Sequence, residues 1–144
     1  MRYAECDVQN VVFNARYGDF VDSSFTEFMR ATGLEYKAWL ERGLDTQVVK
    51  LTMEYTAPAR FDDIVIAEVE CARVGRTSIT VATRFLREGD AGEIQLVTAE
   101  TIYVLVTSAD YRPTPVPDDL RELLERGAPG VVVDQSGVYA RGPA

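Results

Sequence analysis

The chain contains no histidine. That absence removes Ser-His and Cys-His activation of a nucleophile within one chain, together with the usual histidine-rich zinc sites. Cysteine is nearly absent too: Cys6 and Cys71 are too few for a metal cluster or a disulfide framework. No apolar run approaches the roughly 18–20 residues that span a bilayer. No basic segment followed by an apolar core opens the chain, so no signal peptide is expected, and a soluble, cytoplasmic setting is. Positive charge is also scarce, with 15 Lys and Arg against 23 Asp and Glu and a net charge of −8. A nucleic-acid partner would want a basic face, which this balance argues against. A small anionic ligand stays compatible, because a local arginine cluster binds phosphate within an acidic whole. Any chemistry here falls to carboxylates, hydroxyls, backbone dipoles and arginines.

What is present is enough for one domain with a sizeable core: 144 residues, 47% of them hydrophobic. Residues 1–5 read as the end of a strand, as though the chain starts later than its relatives. Residues 6–14 read as an irregular turn, with Asp7, Asn10 and Asn14 as turn formers. From Ala15 to Thr32 the period is helical: Tyr17, Phe20, Val21, Ser24, Phe28 and Ala31 recur every three or four residues, and Gly33 supplies a stop. A short helix is predicted over Glu35–Arg42, ended by Gly43.

The period then changes to two. Gln47–Ala57 reads as a strand with Val49, Leu51, Met53 and Tyr55 on one buried face. Ile64–Arg73 is a second strand, with Val65, Ala67, Val69 and Cys71 opposite Glu68 and Glu70. "VGRT" at 74–77 is a tight connection, Ser78–Arg87 a third strand, and "EGDAGE" at 88–93 a hairpin turn. Ile94–Thr107 is a fourth strand, apolar on both faces near its end and so placed centrally. Pro117–Arg126 is a short helix, and residues 127–144 form a loose Gly- and Pro-rich tail behind a single domain, 1–126. One long helix followed by four strands predicts an α+β fold, an antiparallel sheet wrapped around that helix. The sheet's open edges invite a second subunit.

Asp7 stands just ahead of the long helix. A turn former or cap is the plain reading of such a residue. The chemical one is a general base or nucleophile, with free N–H groups at the helix start to hold an oxyanion. Thr77 and Ser78, directly after a turn, are candidates for lining a site beside their plainer role in a strand. Arg60, Arg73 and Arg76 are candidates for phosphate binding. Glu27, on the helix, is a candidate second acid. Cys6 has nothing nearby in sequence to lower its pKa.

"YAECDVQNVVFNARYGDFVDSSFTEFMRATGL" (3–34) resembles the opening of the 4-hydroxybenzoyl-CoA thioesterase-like group of hotdog-fold proteins. "YTAPARFDD" (55–63) and "GRTSIT" (75–80) resemble later parts of the same family, and the likeness runs over roughly residues 2–126. The resemblance implies the hotdog fold, with Asp7 as the catalytic carboxylate. It implies the main-chain N–H of Asn14 as the group that polarises the thioester carbonyl. Val12, Phe13, Tyr17, Arg60, Arg73, Arg76, Thr77 and Ser78 are then candidates for binding the substrate. It further implies a homodimer or homotetramer with the site between subunits, and no cofactor beyond the coenzyme A carried by the substrate. Three positions depart from the pattern. Asn10 replaces a glycine but can reach the left-handed conformation. Asn14 replaces a frequent His or Tyr, and Phe25 replaces an arginine.

Thioesters are reactive enough to need neither metal nor triad, so a histidine-free chain can hydrolyse them. The leading expectation is an acyl-CoA thioesterase. One alternative acts on acyl chains held by a carrier protein, as in polyketide assembly. Another is a non-catalytic module that binds acyl thioesters. A hotdog dehydratase is disfavoured, because it would depend on histidine.

Overall fold

The computed structural model describes residues 1–136. The described part of the expected tail, 127–136, forms neither helix nor strand, and 137–144 lie outside the described residues. Among the described residues, three α-helices and four strands follow in chain order: α1 (Arg16–Ala31), α2 (Tyr36–Glu41), β1 (Leu44–Tyr55), β2 (Val65–Val74), β3 (Ser78–Gly89), β4 (Gly92–Thr107) and α3 (Asp118–Arg126). The strands form one antiparallel sheet in the order β1-β4-β3-β2, so the doubly apolar β4 is internal, as its composition predicts. The β3–β4 connection is a two-residue turn between paired Gly89 and Gly92.

Helix α1 lies over β2 and β3. Its apolar stripe (Tyr17, Val21, Phe25, Phe28, Met29) is buried, and the Phe25 ring stacks on Tyr103 of β4 at 4.3 Å. Two clusters fill the space beneath. One gathers Trp39, Ile79, Val81, Leu105, Leu120 and Leu124 around Phe25 and Phe28. The other gathers Val12, Ala59, Phe85, Leu96 and Val97 around Tyr17 and Val21, under the start of α1. A stop at Gly33 is realised at φ +85°, a conformation that side chains with a β-carbon resist.

Two expectations are corrected. Residues 3–5 form a single 3₁₀ turn rather than the end of a strand, closed by Arg2 N–H donating to Glu5 Oε2 at 2.7 Å. The β1 strand does not bury one face. A bulge between Val48 and Lys50 breaks the alternation at Val49, so the helix-side residues are Val48, Leu51, Met53 and Tyr55. Val48, Leu51 and Tyr55 remain exposed. The reason is width. One helix about 10 Å across covers about two strands spaced about 4.8 Å apart, and most of the sheet's buried residues lie on the central strands β3 and β4, with β1 at the edge.

Burial leaves two tyrosines with a measurable signature. Tyr17 and Tyr103 are each pushed up to about 12, in both cases first by desolvation. In the unfolded chain a tyrosine ionises near pH 10. Between about pH 10 and 12 the unfolded state releases protons that the folded state keeps, so stability should fall as pH rises through that window. Below pH 10 these residues contribute no slope. The Tyr17 hydroxyl has no hydrogen-bond partner among the described residues. Tyr17→Phe should therefore cost little at neutral pH and flatten the alkaline loss. Urea unfolding at pH 8 and pH 11 checks this, and an equally steep loss in the variant refutes it.

Candidate active site

Asp7 sits at the corner of a small hairpin that precedes α1. Phe13 N–H donates to Glu5 O at 2.9 Å, Cys6 bridges Val12, and Asp7 N–H donates to Val11 O at 2.9 Å. The reversal between them needs one residue in the left-handed region. Asn10 fills it at φ +59°. Asp7 is half-buried, and its Oδ1 accepts Gln9 N–H at 2.8 Å, which orients the carboxylate across the turn.

The carboxylate borders an open cleft of roughly 620 Å³ lined by Tyr3, Cys6, Asp7, Val8, Asn10, Arg60 and Phe61. Arg60 therefore shares a cleft with Asp7, as its candidacy requires. Its loop is tied down. Asp63 Oδ2 accepts Arg60 N–H at 2.8 Å and lies 3.6 Å from Arg87 Nε on β3. Asp62, at φ +70°, donates its N–H to Met1 O at 3.0 Å. Rings of Tyr3 and Phe61 meet edge to face at 6.2 Å on the cleft wall.

The start of α1 is the second part of the candidate site. Arg16 N–H bonds to Phe13 O at 2.9 Å and Tyr17 N–H to Asn14 O at 3.2 Å. The amides of Asn14 and Ala15 make no hydrogen bond among the described residues. They are the free donors of the helix entrance, at the positive end of its dipole. Along the hairpin, Asp7 pairs with Val11, and Asn14 lies three residues further on, about 10 Å along the strand.

The remaining candidates divide. Val12 (6% exposed) and Tyr17 (2%) belong to the core, not to an open lining. Val12 N–H is bonded to Ala59 O at 2.8 Å, and Tyr17 packs on Phe20, Tyr55 and Phe85. Phe13, on the opposite face of the hairpin, is 49% exposed and available to a ligand. Arg73, Arg76, Thr77 and Ser78 lie at the far end of the β2–β3 hairpin. Ser78 and Phe85, which touches Tyr17, are seven residues apart on one strand, about 23 Å. Within one chain these four do not meet Asp7. Their turn is tightly built: Gly75 N–H bonds Ser78 O at 2.7 Å, and a β-carbon on Gly75 would meet Ser78 Oγ at 2.5 Å. The Cys6 thiol lines the cleft and donates to Arg2 O at 3.7 Å. Glu27 is paired with Arg30 on the surface of α1.

Residues 9–94 match the Thioesterase superfamily. The chain belongs to that family. Within this superfamily it is 29% identical over 118 residues to the acyl-CoA thioester hydrolase YbgC of Escherichia coli O157:H7, spanning 82% of this chain and 86% of the relative. Among solved structures, a hypothetical protein from Thermus thermophilus superposes with a TM-score of 0.78 at 27% identity, covering 88% of this chain and 93% of that one. A 4-hydroxybenzoyl CoA thioesterase mutant complexed with 4-hydroxybenzoyl CoA superposes with a TM-score of 0.79 at 22% identity, covering 86% and 93%. The fold of this thioesterase-superfamily chain is the hotdog. Among the described residues no group of three or more His, Cys, Asp or Glu is placed to hold a metal ion, and no helix is long and apolar enough to cross a membrane.

Sequence reasoning missed Tyr3, Phe61, Ala15 and Tyr55. The stretch "YTAPARFDD" was a signal for two of them, since it carries Phe61, which lines the cleft with Asp7, and Tyr55, whose hydroxyl donates to Asn14 O.

Proposed function

We propose that this chain is an acyl-CoA thioesterase in which Asp7 is the catalytic carboxylate and Asn14 N–H an oxyanion donor. The observation that carries the reading is the pairing of a half-buried carboxylate in a cleft with a helix entrance whose first amides are unbonded. The names borne by the curated relatives support the substrate class.

In this reading the thioester carbonyl points its oxygen at the helix entrance, where amide and dipole favour the charge that develops. Asp7 takes a proton from the attacking water, or attacks the carbonyl itself. In the first case the C–S bond breaks once the water's C–O bond has formed, and the thiolate takes the proton held by Asp7; in the second the thiolate leaves as a mixed anhydride forms on Asp7, and water then cleaves that anhydride to release the acid and the carboxylate. Arg60 at the cleft mouth meets a phosphate of coenzyme A, and Phe13 lies against the substrate.

Arg73, Arg76, Thr77 and Ser78 reach this substrate only from another copy of the chain. The exposed helix-side strip of β1 (Val48, Leu51, Tyr55) is the surface we assign to that copy, in a homodimer or a homotetramer. A cytoplasmic setting is part of the proposal.

The test is turnover. A panel of aromatic, short and long acyl-CoAs is assayed for free thiol release, beside the same acyl groups on a carrier protein. Hydrolysis of acyl-CoA is expected. Hydrolysis of carrier-bound chains alone would reassign the substrate, and no hydrolysis of any would leave only a binding module. A stable monomer in a solution mass measurement would refute the shared site.

A further inference from the structure

The helix entrance holds a group that neither Asp7 nor Asn14 accounts for. The Asn14 carbonyl and the Ala15 N–H belong to one planar peptide unit. That carbonyl accepts two hydrogen bonds, from Tyr17 N–H at 3.2 Å and from the Tyr55 hydroxyl at 3.1 Å. The first is an ordinary opening bond of α1. The second arrives from the end of β1, a different part of the fold.

Because the peptide is planar, fixing its oxygen fixes the direction of its N–H. Donors at the oxygen also polarise the unit and make the N–H a stronger donor. The Ala15 N–H is free among the described residues, next to the free N–H of Asn14. Ala15 is in helical conformation, with φ −66° and ψ −21°, and the Arg16 N–H to Phe13 O and Tyr17 N–H to Asn14 O bonds run in the direction of the helix that follows. Successive amides in that conformation point the same way along the helix axis. The Tyr55 ring is itself held edge to face against Tyr17 at 5.8 Å. Its hydroxyl lies 3.2 Å from Met53 Sδ, a weaker acceptor than the Asn14 carbonyl.

We infer that Tyr55 is a positioning residue for the oxyanion site: its hydroxyl aims and polarises the Asn14–Ala15 peptide, so that Ala15 N–H joins Asn14 N–H in binding the developing oxyanion. The inference rests on the hydrolase reading above and adds a second donor and the side chain that holds it. Tyr55 acts through the peptide and does not touch the reacting atoms.

Tyr55→Phe removes only the hydroxyl and keeps the ring. The expected result is a kcat about tenfold lower with KM within about twofold, because the lost bond matters to the transition state and not to binding. The thermal midpoint should move little, since the ring and its contact with Tyr17 stay in place and only the hydroxyl is lost. Independently of turnover, the Ala15 amide resonance should shift and its hydrogen exchange quicken in the variant. An unchanged Ala15 amide overturns the inference whether or not the protein hydrolyses acyl-CoA. So does an unchanged kcat, or a raised KM at constant kcat, which would put the hydroxyl on the substrate. Asp7→Asn run alongside separates the two readings: parental activity in that variant sinks the carboxylate assignment and leaves the Ala15 result to stand alone.

Discussion

Asp7→Asn is expected to lower kcat for acyl-CoA hydrolysis by about 10² to 10⁴-fold, the range for removing a positioned base. The expectation follows from what the substitution keeps. Asp7 Oδ1 accepts Gln9 N–H at 2.8 Å, and an asparagine oxygen can accept the same bond. The turn ending at Asn10 should therefore persist, and with it the route of the chain into α1. What is lost is the negative charge and the ability to take a proton or to attack a carbonyl. KM should change by no more than a few-fold, because the cleft wall of Tyr3, Val8, Arg60 and Phe61 is untouched. Steady-state thiol release measures both constants, and a thermal melt confirms that the fold survives. A variant as active as the parent would show that Asp7 is a turn former only, the plain reading its position always allowed. The chain has no histidine to take over the role, so residual activity should come from the helix entrance and binding alone.

The largest expected effect on stability is at Phe85. Its side chain is 1% exposed and its ring lies 5.3 Å from Tyr17 and 6.4 Å from Phe20, centroid to centroid. Phe85→Ala removes the ring on which the start of α1 rests and leaves a cavity between helix and sheet. Such truncations cost about 3–5 kcal/mol. For a chain of this size the thermal midpoint should drop by roughly 10 °C. Urea unfolding gives the free energy directly, and a loss below about 1 kcal/mol would mean that the ring is not part of the packed core. The effect should reach function as well. Tyr17 supports the first turn of α1, and a helix entrance that settles into the cavity carries the Asn14 and Ala15 amides with it. Activity per folded molecule should fall together with stability, whereas Tyr17→Phe, which keeps the ring, should leave it nearly intact.

How far the sequence goes differs from one element to the next. Helix α1 was legible because its apolar residues repeat at helical spacing over sixteen positions and a glycine ends it. Strand β2 was legible as an alternation, with Val65, Val69 and Cys71 half-buried and Glu68 facing Arg84 on the outer side. The left-handed Asn10 was legible because few residues other than glycine tolerate that region. Strand β1 was legible as a strand but not as to what it buries. Its alternation says that one face is apolar; it says nothing about whether a helix is wide enough to cover that face. The bulge at Val49 is likewise set by register against β4, which no local pattern encodes.

The site divides along the same line. Sequence alone determined that any chemistry would be histidine-free, that Asp7 stood ahead of a long helix, and that the helix entrance had amides to offer. These are local facts: a residue inventory, a spacing and a chain direction. Only the tertiary structure decided which partners stand around them. It placed Arg60 and Phe61 beside Asp7, sent Val12 and Tyr17 into the core, and put Ser78 about 23 Å from Phe85 along one strand. It also brought the Tyr55 hydroxyl, 41 residues distant in sequence, onto the Asn14 carbonyl. Such contacts depend on which faces of helix and sheet meet. That is settled by burying apolar area over the whole domain, not by the pattern of any one segment.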